Sequence, residues 1–281
     1  MEIKEVLSKN KFQFKKALGQ NFISDGNLLR AIVADSGITE NDTVVEIGTG
    51  AGTLTSYLSQ KAKRVVTFEV DTDLEPILNE TLGDKKNVEI VFADVLKMSD
   101  DDFKKRVPEK FKVVANLPYY ITTPMIMRFL ESTLNAESMT LMMQKEVADR
   151  LVAKPGTENY GAITVAVEAS TNASITRIID RRMFYPVPNV DSALVRMDFV
   201  KNKYDFTDFA VFKKVARSAF MMRRKTLVNN LIATFPISKA ECENIIEKLG
   251  FSKTVRGETL SCADFVKVSD ILYNLFNEKK N

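Results

Sequence analysis

The residues of this chain best placed to do chemistry fall at the ends of successive β-branched runs. VVEIGTGAGTLT (44–55) reads as a strand, a glycine-rich turn and a helix start. Gly48, Gly50 and Gly52 let the backbone turn and approach a ligand without a Cβ clash. Cofactor folds of many chemistries share such a turn, so the spacing has to discriminate. A dinucleotide fingerprint needs glycine at position 53, where this chain has Thr53. The GxGxG spacing is more typical of S-adenosylmethionine sites, and Glu46, Gly48 and Gly50 are assigned to a candidate cofactor set. Glu69 ends the next run, RVVTFEV (64–70), 21 residues after Gly48. A carboxylate there can accept two hydrogen bonds from ribose hydroxyls. Asp94, in FADVL after the third run, can accept one from an adenine amino group.

The fourth run ends in NLPYY, Asn116 to Tyr120. An adenine amino group is a poor nucleophile because its lone pair is delocalised into the ring. Two acceptors facing its two N–H bonds would turn that lone pair outward. The Asn116 side-chain oxygen is one acceptor, and a backbone carbonyl of the Leu117–Pro118 stretch is the other. Pro118 fixes the local φ and stiffens that carbonyl. Tyr119 offers a π face for a flipped-out base, worth roughly 1–3 kcal/mol. In-line displacement at a sulfonium methyl has an activated leaving group, so positioning and electrostatics suffice.

Composition limits the alternatives. The chain has 281 residues and no histidine, which excludes Ser-His and Cys-His nucleophilic machinery. Cys242 and Cys262 are too few and too far apart for a zinc site, so no metal is expected. No apolar run is long enough to suggest a membrane span, and the N-terminus lacks a secretory apolar stretch; the cytoplasm is the expected location. Net charge is only +3, but Val211 to Lys225 carries Lys213, Lys214, Arg217, Arg223, Arg224 and Lys225 with no acidic residue. Lys9, Lys11, Lys15 and Lys16 form a second basic stretch. Both fit a phosphate-rich ligand.

These residues need a scaffold. The runs 43–47, 64–70, 88–93, 112–117 and 139–144 read as buried parallel strands, separated by helical spacing at 53–60, 72–82 and 122–133. The alternation implies an α/β, doubly wound, Rossmann-like sheet with right-handed crossovers. YGAITVAVEAS (160–170) is compatible with strand or helix. SITRIID (174–180) and SALVRMDF (192–199) flank the turn-rich MFYPVPNVD (183–191) and read as a closing antiparallel pair. Residues 201–208 read as a linker, and four helical stretches follow. The expected division is 1–200, a cofactor-binding catalytic domain, and 201–281, a small all-helical domain.

Several blocks together resemble a known family. KKALGQNFISD (15–25), EIGTGAGTLT, NLPYYITTP (116–124), QKEVADRLVAKPGTENYGA (144–162), FYPVPNVDSALVRM (184–197) and AFMMRRKTLVNNL (219–231) are similar to the bacterial ribosomal RNA small-subunit methyltransferase A family. These are the 16S rRNA adenine dimethyltransferases, the kasugamycin-sensitivity enzymes. The resemblance runs from about residue 11 to 275. It implies a seven-stranded class I methyltransferase sheet with a small helical domain. It also implies dimethylation of two adjacent adenines in the 3′-terminal hairpin of 16S rRNA, in the assembling small subunit. Asn21, Ile23, Gly48, Glu69, Asp94 and Asn116 map to cofactor contacts, Tyr119 and Phe184 to the two sides of the target base, and Arg223, Arg224 and Lys225 to rRNA. Many members have Asn where this chain has Tyr120. A monomer is expected.

Three other functions share some of these features. A 23S rRNA dimethyltransferase conferring macrolide resistance shares the catalytic half; the RRKTLVNNL segment and the PGTENYG block favour the small-subunit enzyme. Intact Glu69, Asp94 and NLPYY argue against a non-catalytic RNA-binding assembly or transcription factor. Thr53 and NLPYY weigh against a nicotinamide dehydrogenase.

Overall fold

The structure is a computed structural model that describes residues 3–10, 12, 15, 19, 21–23 and 25–278. Lys11 and Lys16 of the N-terminal basic stretch lie outside the described residues, as do Ala17, Leu18, Gln20 and Ser24 of the KKALGQNFISD block.

Seven strands form the main sheet: β1 (Thr43–Ile47), β2 (Arg64–Glu69), β3 (Val88–Phe92), β4 (Phe111–Asn116), β5 (Ala136–Gln144), β6 (Thr171–Ile179) and β7 (Ser192–Phe199). Their spatial order is β3-β2-β1-β4-β5-β7-β6. The pairs β1–β2, β2–β3, β1–β4 and β4–β5 are parallel, and β7 is antiparallel to β5. Every residue of β1 is buried, as a central parallel strand with both faces covered requires. That is why TVVEI is a continuous β-branched run rather than an alternating one. The chain builds outward from β1 through β2 to β3, then returns to lay β4 on the other side of β1. Ligands of open sheets sit in the crevice this reversal leaves at the strands' carboxyl ends. Glu69, Asp94 and Asn116 all lie there.

The helices follow local signals. Asp25 caps α2 (Gly26–Asp35) by accepting from Leu28 N at 2.8 Å. Gly52, at φ 79°, opens α3 (Thr53–Ser59). α4 (Glu75–Leu82) packs Ile77, Leu78 and Leu82 with Val6 and Leu7 of the N-terminal helix α1 (Ile3–Lys9) and with Phe22. Ser99 caps the helix Asp100–Arg106, whose Phe103 stacks on Phe68 with ring centroids 5.4 Å apart. A short antiparallel ladder pairs Phe22 with Tyr185 and Ile23 with Phe184.

By its internal contacts the chain divides into two compact units. The first takes in the chain up to Ala148 together with Ser174–Phe199; the second takes in Asp149–Ala173 and the chain from Val200 onward. Division at 200/201 would place 149–173 with the sheet, and the contacts correct that assignment. The ambiguous segment is a helix, Ala162–Ser170, and its Val165 and Ala169 join Tyr160 in a core with Phe212, Leu231, Ile246 and Phe265. Gly156 N donates to Glu258 O at 2.7 Å, and the Tyr160 hydroxyl to Leu260 O at 2.9 Å. Small residues let the helix approach closely, which a pattern of β-branched residues does not reveal. The second unit's other helices are Phe209–Ala219, Leu227–Ile232, Lys239–Lys248 and Cys262–Glu278. Among the described residues no helix is long and apolar enough to cross a membrane.

Candidate active site

A cavity of about 110 Å³ opens at the carboxyl ends of β1, β2 and β4 and is built wholly from the first unit. Its wall brings together Asn21, Ile23, Glu46, Gly48, Gly50, Glu69, Asp94, Asn116, Leu117, Pro118, Tyr119 and Phe184. Each was a candidate from the sequence. Arg223, Arg224 and Lys225 belong to the second unit.

The glycine turn leaves room for a ligand. Gly48 has φ 78°, and a Cβ built there meets nothing closer than the Asn116 backbone oxygen, 3.9 Å away. A side chain at that position would project into open space a cofactor can use. A Cβ at Gly50, φ 55°, would come within 2.9 Å of the Phe22 ring, so this glycine is needed for close packing of the 21–23 segment.

The carboxyl groups differ in environment. Glu69 is buried, and its Oε1 accepts from Val70 N at 2.8 Å and Asp71 N at 2.9 Å while Oε2 accepts from Gly50 N at 2.8 Å. Three of about four acceptor sites on the carboxylate are filled, leaving room for one hydroxyl on Oε2 without displacement. Burial pushes the Glu69 carboxyl above the usual carboxylate range. Glu46 is more extreme. It is fully buried, Thr55 and Thr67 donate to its Oε2 at 2.6 and 3.1 Å, and burial raises its pKa to about 8. Asp94 is partly exposed. Its Oδ1 accepts from Leu96 N at 3.0 Å and its Oδ2 lies 3.3 Å from Lys97 Nζ.

The candidate catalytic motif begins at Asn116, the last residue of β4. Asn116 Nδ2 donates to the Asn21 backbone carbonyl at 2.9 Å. With its nitrogen committed to a carbonyl, the amide cannot flip without setting oxygen against oxygen, so Oδ1 keeps the open acceptor capacity. Pro118 O accepts from Ile121 N at 3.1 Å, which starts the short 3-10 turn Tyr119–Ile121. The half-buried Tyr119 ring has its hydroxyl 2.9 Å from Ser192 Oγ.

The N-terminal basic stretch does not present free charge at the described lysines. Lys9 Nζ lies 2.8 Å from Glu80 Oε1, and Lys15 Nζ lies 2.5 Å from Asp71 Oδ1 and 2.6 Å from Asp73 Oδ2. Carboxylates of the same unit pair with both, which weakens the case for a phosphate-binding patch at these two lysines; Lys11 and Lys16 lie outside the described residues. Thr55 and Thr67, which donate to Glu46, and Ser192, which meets the Tyr119 hydroxyl, were not legible in the sequence. No local signal marks them, since each partner is brought by a different strand or helix. Val70, directly after the strand-end Glu69 and 53% exposed, also lines the cavity, which its exposure in the fold and not its sequence context reveals.

The comparisons with known proteins decide the family. Residues 11–273 match the model of the family described as ribosomal RNA adenine dimethylase. The chain belongs to the ribosomal RNA adenine dimethylase family. A protein of Geobacillus thermodenitrificans named ribosomal RNA small subunit methyltransferase A is 46% identical over 97% of this chain and 96% of its own length. One of Lysinibacillus sphaericus with the same name is 43% identical over 97% and 95%. Among solved structures, a dimethyladenosine transferase from Plasmodium falciparum matches with TM-score 0.76 and 26% identity over 92% of this chain and 98% of its own. The 23S rRNA methyltransferase ErmE matches with TM-score 0.68 and 25% identity over 90% and 99%. This adenine dimethylase is therefore an rRNA-modifying enzyme of the Rossmann-like methyltransferase class. Its methyl donor is S-adenosylmethionine. The open space at Gly48, the acceptor left on Glu69 and the orientation of Asn116 fit that cofactor. Among the described residues no group of three or more His, Cys, Asp and Glu could hold a metal.

Proposed function

We propose that this dimethylase transfers methyl groups to the exocyclic amino groups of two adjacent adenines in the 3′-terminal hairpin of 16S rRNA, acting as a monomer on assembling small subunits in the cytoplasm. The observation that carries the chemistry is the Asn116 amide, held by Asn21 O with its oxygen left as an acceptor. For the substrate, support comes from relatives named for the small subunit at 42–46% identity over nearly the whole chain.

The cavity residues then divide the work. Gly48, Gly50, Asn21 and Ile23 enclose the cofactor, Glu69 takes a ribose hydroxyl on Oε2, and Asp94 faces the adenine edge. Bound S-adenosylmethionine supplies an electrophilic methyl on sulfur, so no metal or strong base is needed. Asn116 Oδ1 accepts one N–H of the target amine. Pro118 O is turned into the 3-10 turn, so the second acceptor falls to Leu117 O. With both N–H bonds held in the plane of those acceptors, the nitrogen lone pair points to the methyl, and most of the barrier is removed by positioning. The methylated nitrogen is acidic and loses its proton to water. Tyr119 stacks on one face of the base and Phe184 closes the other. Exposed Arg224 and Lys225 meet rRNA phosphates; Arg223, whose guanidinium donates to Glu158 O at 2.6 Å, also stiffens its own unit.

The test is tritiated methyl transfer from S-adenosylmethionine to under-methylated small subunits, followed by nucleoside analysis. Labelled dimethyladenosine in 16S rRNA is expected. Label confined to large-subunit RNA, or absent from adenosine, would end this assignment.

A further inference from the structure

We propose that Ser192 is a positioning residue for the target base: its buried hydroxyl holds the Tyr119 phenol and so fixes the plane on which the purine stacks. The inference rests on Tyr119 being the stacking platform and adds a reason why that platform is a tyrosine. Stacking needs only a π face, which phenylalanine supplies equally. The hydroxyl has a different use. It sits 2.9 Å from Ser192 Oγ, a group 73 residues away in sequence with no exposed surface. Burial keeps the Tyr119 phenol protonated, with its pKa raised above the ordinary value.

Ser192 is itself immobile. It is the first residue of β7 and pairs with Gln144 of β5. The preceding Asp191 accepts from Lys145 N through its carbonyl and from Arg181 N through Oδ1, each at 3.0 Å. The Tyr119 ring is therefore held at both ends. Its backbone follows Pro118 in the 3-10 turn, and its hydroxyl is tied to the antiparallel strand of the sheet. Rotation about the side chain's first torsion would break that tie. The next residue, Tyr120, is 60% exposed and carries no such constraint from burial. A ring fixed before the base arrives spares the ordering that a free ring would have to undergo on binding.

The experiment uses the full-length protein as wild type, Tyr119→Phe, Ser192→Ala, the double variant and Tyr119→Ala. Methyl transfer to under-methylated small subunits gives kcat and KM, calorimetry gives cofactor affinity, and thermal melting reports folding. Tyr119→Phe and Ser192→Ala should each lower kcat/KM for the subunit about threefold to tenfold, the worth of one hydrogen bond. The double variant should be no worse than either single, because both remove the same bond. Cofactor affinity should be unchanged in all of them. Multiplying effects, unchanged kcat/KM in Tyr119→Phe, or an equal loss of cofactor affinity would overturn the inference. Tyr119→Phe leaves the strand untouched and decides the matter even where Ser192→Ala folds poorly. Tyr119→Ala separates the two levels: full activity there sinks the platform assignment itself, whereas inactivity beside unimpaired Tyr119→Phe sinks only the role of Ser192.

Discussion

Burial and hydrogen bonding set what each polar group in the cleft can do. Burial raises the Glu46 pKa to about 8, which favours its neutral form, and the ionised form is penalised only in the folded protein. The sign follows from linkage. The group binds a proton more tightly when folded, so its contribution to stability is full below its unfolded pKa and is lost as pH rises toward 8. Glu46→Gln keeps an acceptor for Thr55 and Thr67 without the titration. In urea unfolding between about pH 5.5 and 8, wild type should lose on the order of 3 kcal/mol relative to the variant. Parallel pH profiles would show that Glu46 is not held neutral. Asn116 gives a second test. Asn116→Asp keeps acceptor oxygens but removes the donation to Asn21 O, and should lower kcat about tenfold or more. Asn116→Ala also removes the acceptor and should cost roughly 10² to 10³ in kcat. Wild-type turnover in Asn116→Asp would mean the amide's orientation is irrelevant.

At the scale of elements, the sheet places the site and carries a desolvation cost of its own. β5 buries Ser138 and Thr140 with hydroxyls that meet no hydrogen-bond partner among the described residues. A buried hydroxyl without a partner costs about 1–3 kcal/mol. Thr140→Val keeps the shape and removes the polar atom, so urea unfolding should show a gain of about 1 kcal/mol with activity unaffected. A loss of stability would point to a partner, such as a buried water, that the hydroxyl serves. The glycine turn was legible because its φ values demand glycine and its place after β1 is periodic. The Phe22–Ile23 and Phe184–Tyr185 ladder was not. Two residues carry no period, and the partners are more than 150 residues apart in sequence. Yet this ladder ties the segment beside the cofactor turn to the loop carrying Phe184.

At the scale of the molecule, the two units have separate cores. The second is interleaved in sequence, since Tyr160, Val165 and Ala169 bury against helices that begin after Val200. A chain ending at Val200 would leave those residues uncovered. Such a chain should bind a hydrophobic dye more strongly than the full protein and melt at lower temperature, whereas one that also lacks 149–173 would lose the connection to β6. A chain ending at Val200 that melts like the full protein would show that the 149–173 segment packs without its helical partners. The basic run 213–225 lies in this second unit, where Lys213 and Lys214 rest over Phe209 and Phe235 at 5.4 and 4.7 Å. Those two lysines serve packing as well as charge.

The sequence by itself determined the parallel strands, the order of their carboxyl ends and the residues that line the candidate site, because strand periodicity, glycine spacing and the NLPYY pentapeptide are all local. Only the tertiary structure decided which way the Asn116 amide points, that burial raises the Glu46 pKa, that Ser192 meets Tyr119 and that 149–173 belongs with the helices. Each of these depends on a partner brought from far along the chain, and burial and hydrogen-bond direction exist only once that partner is in place.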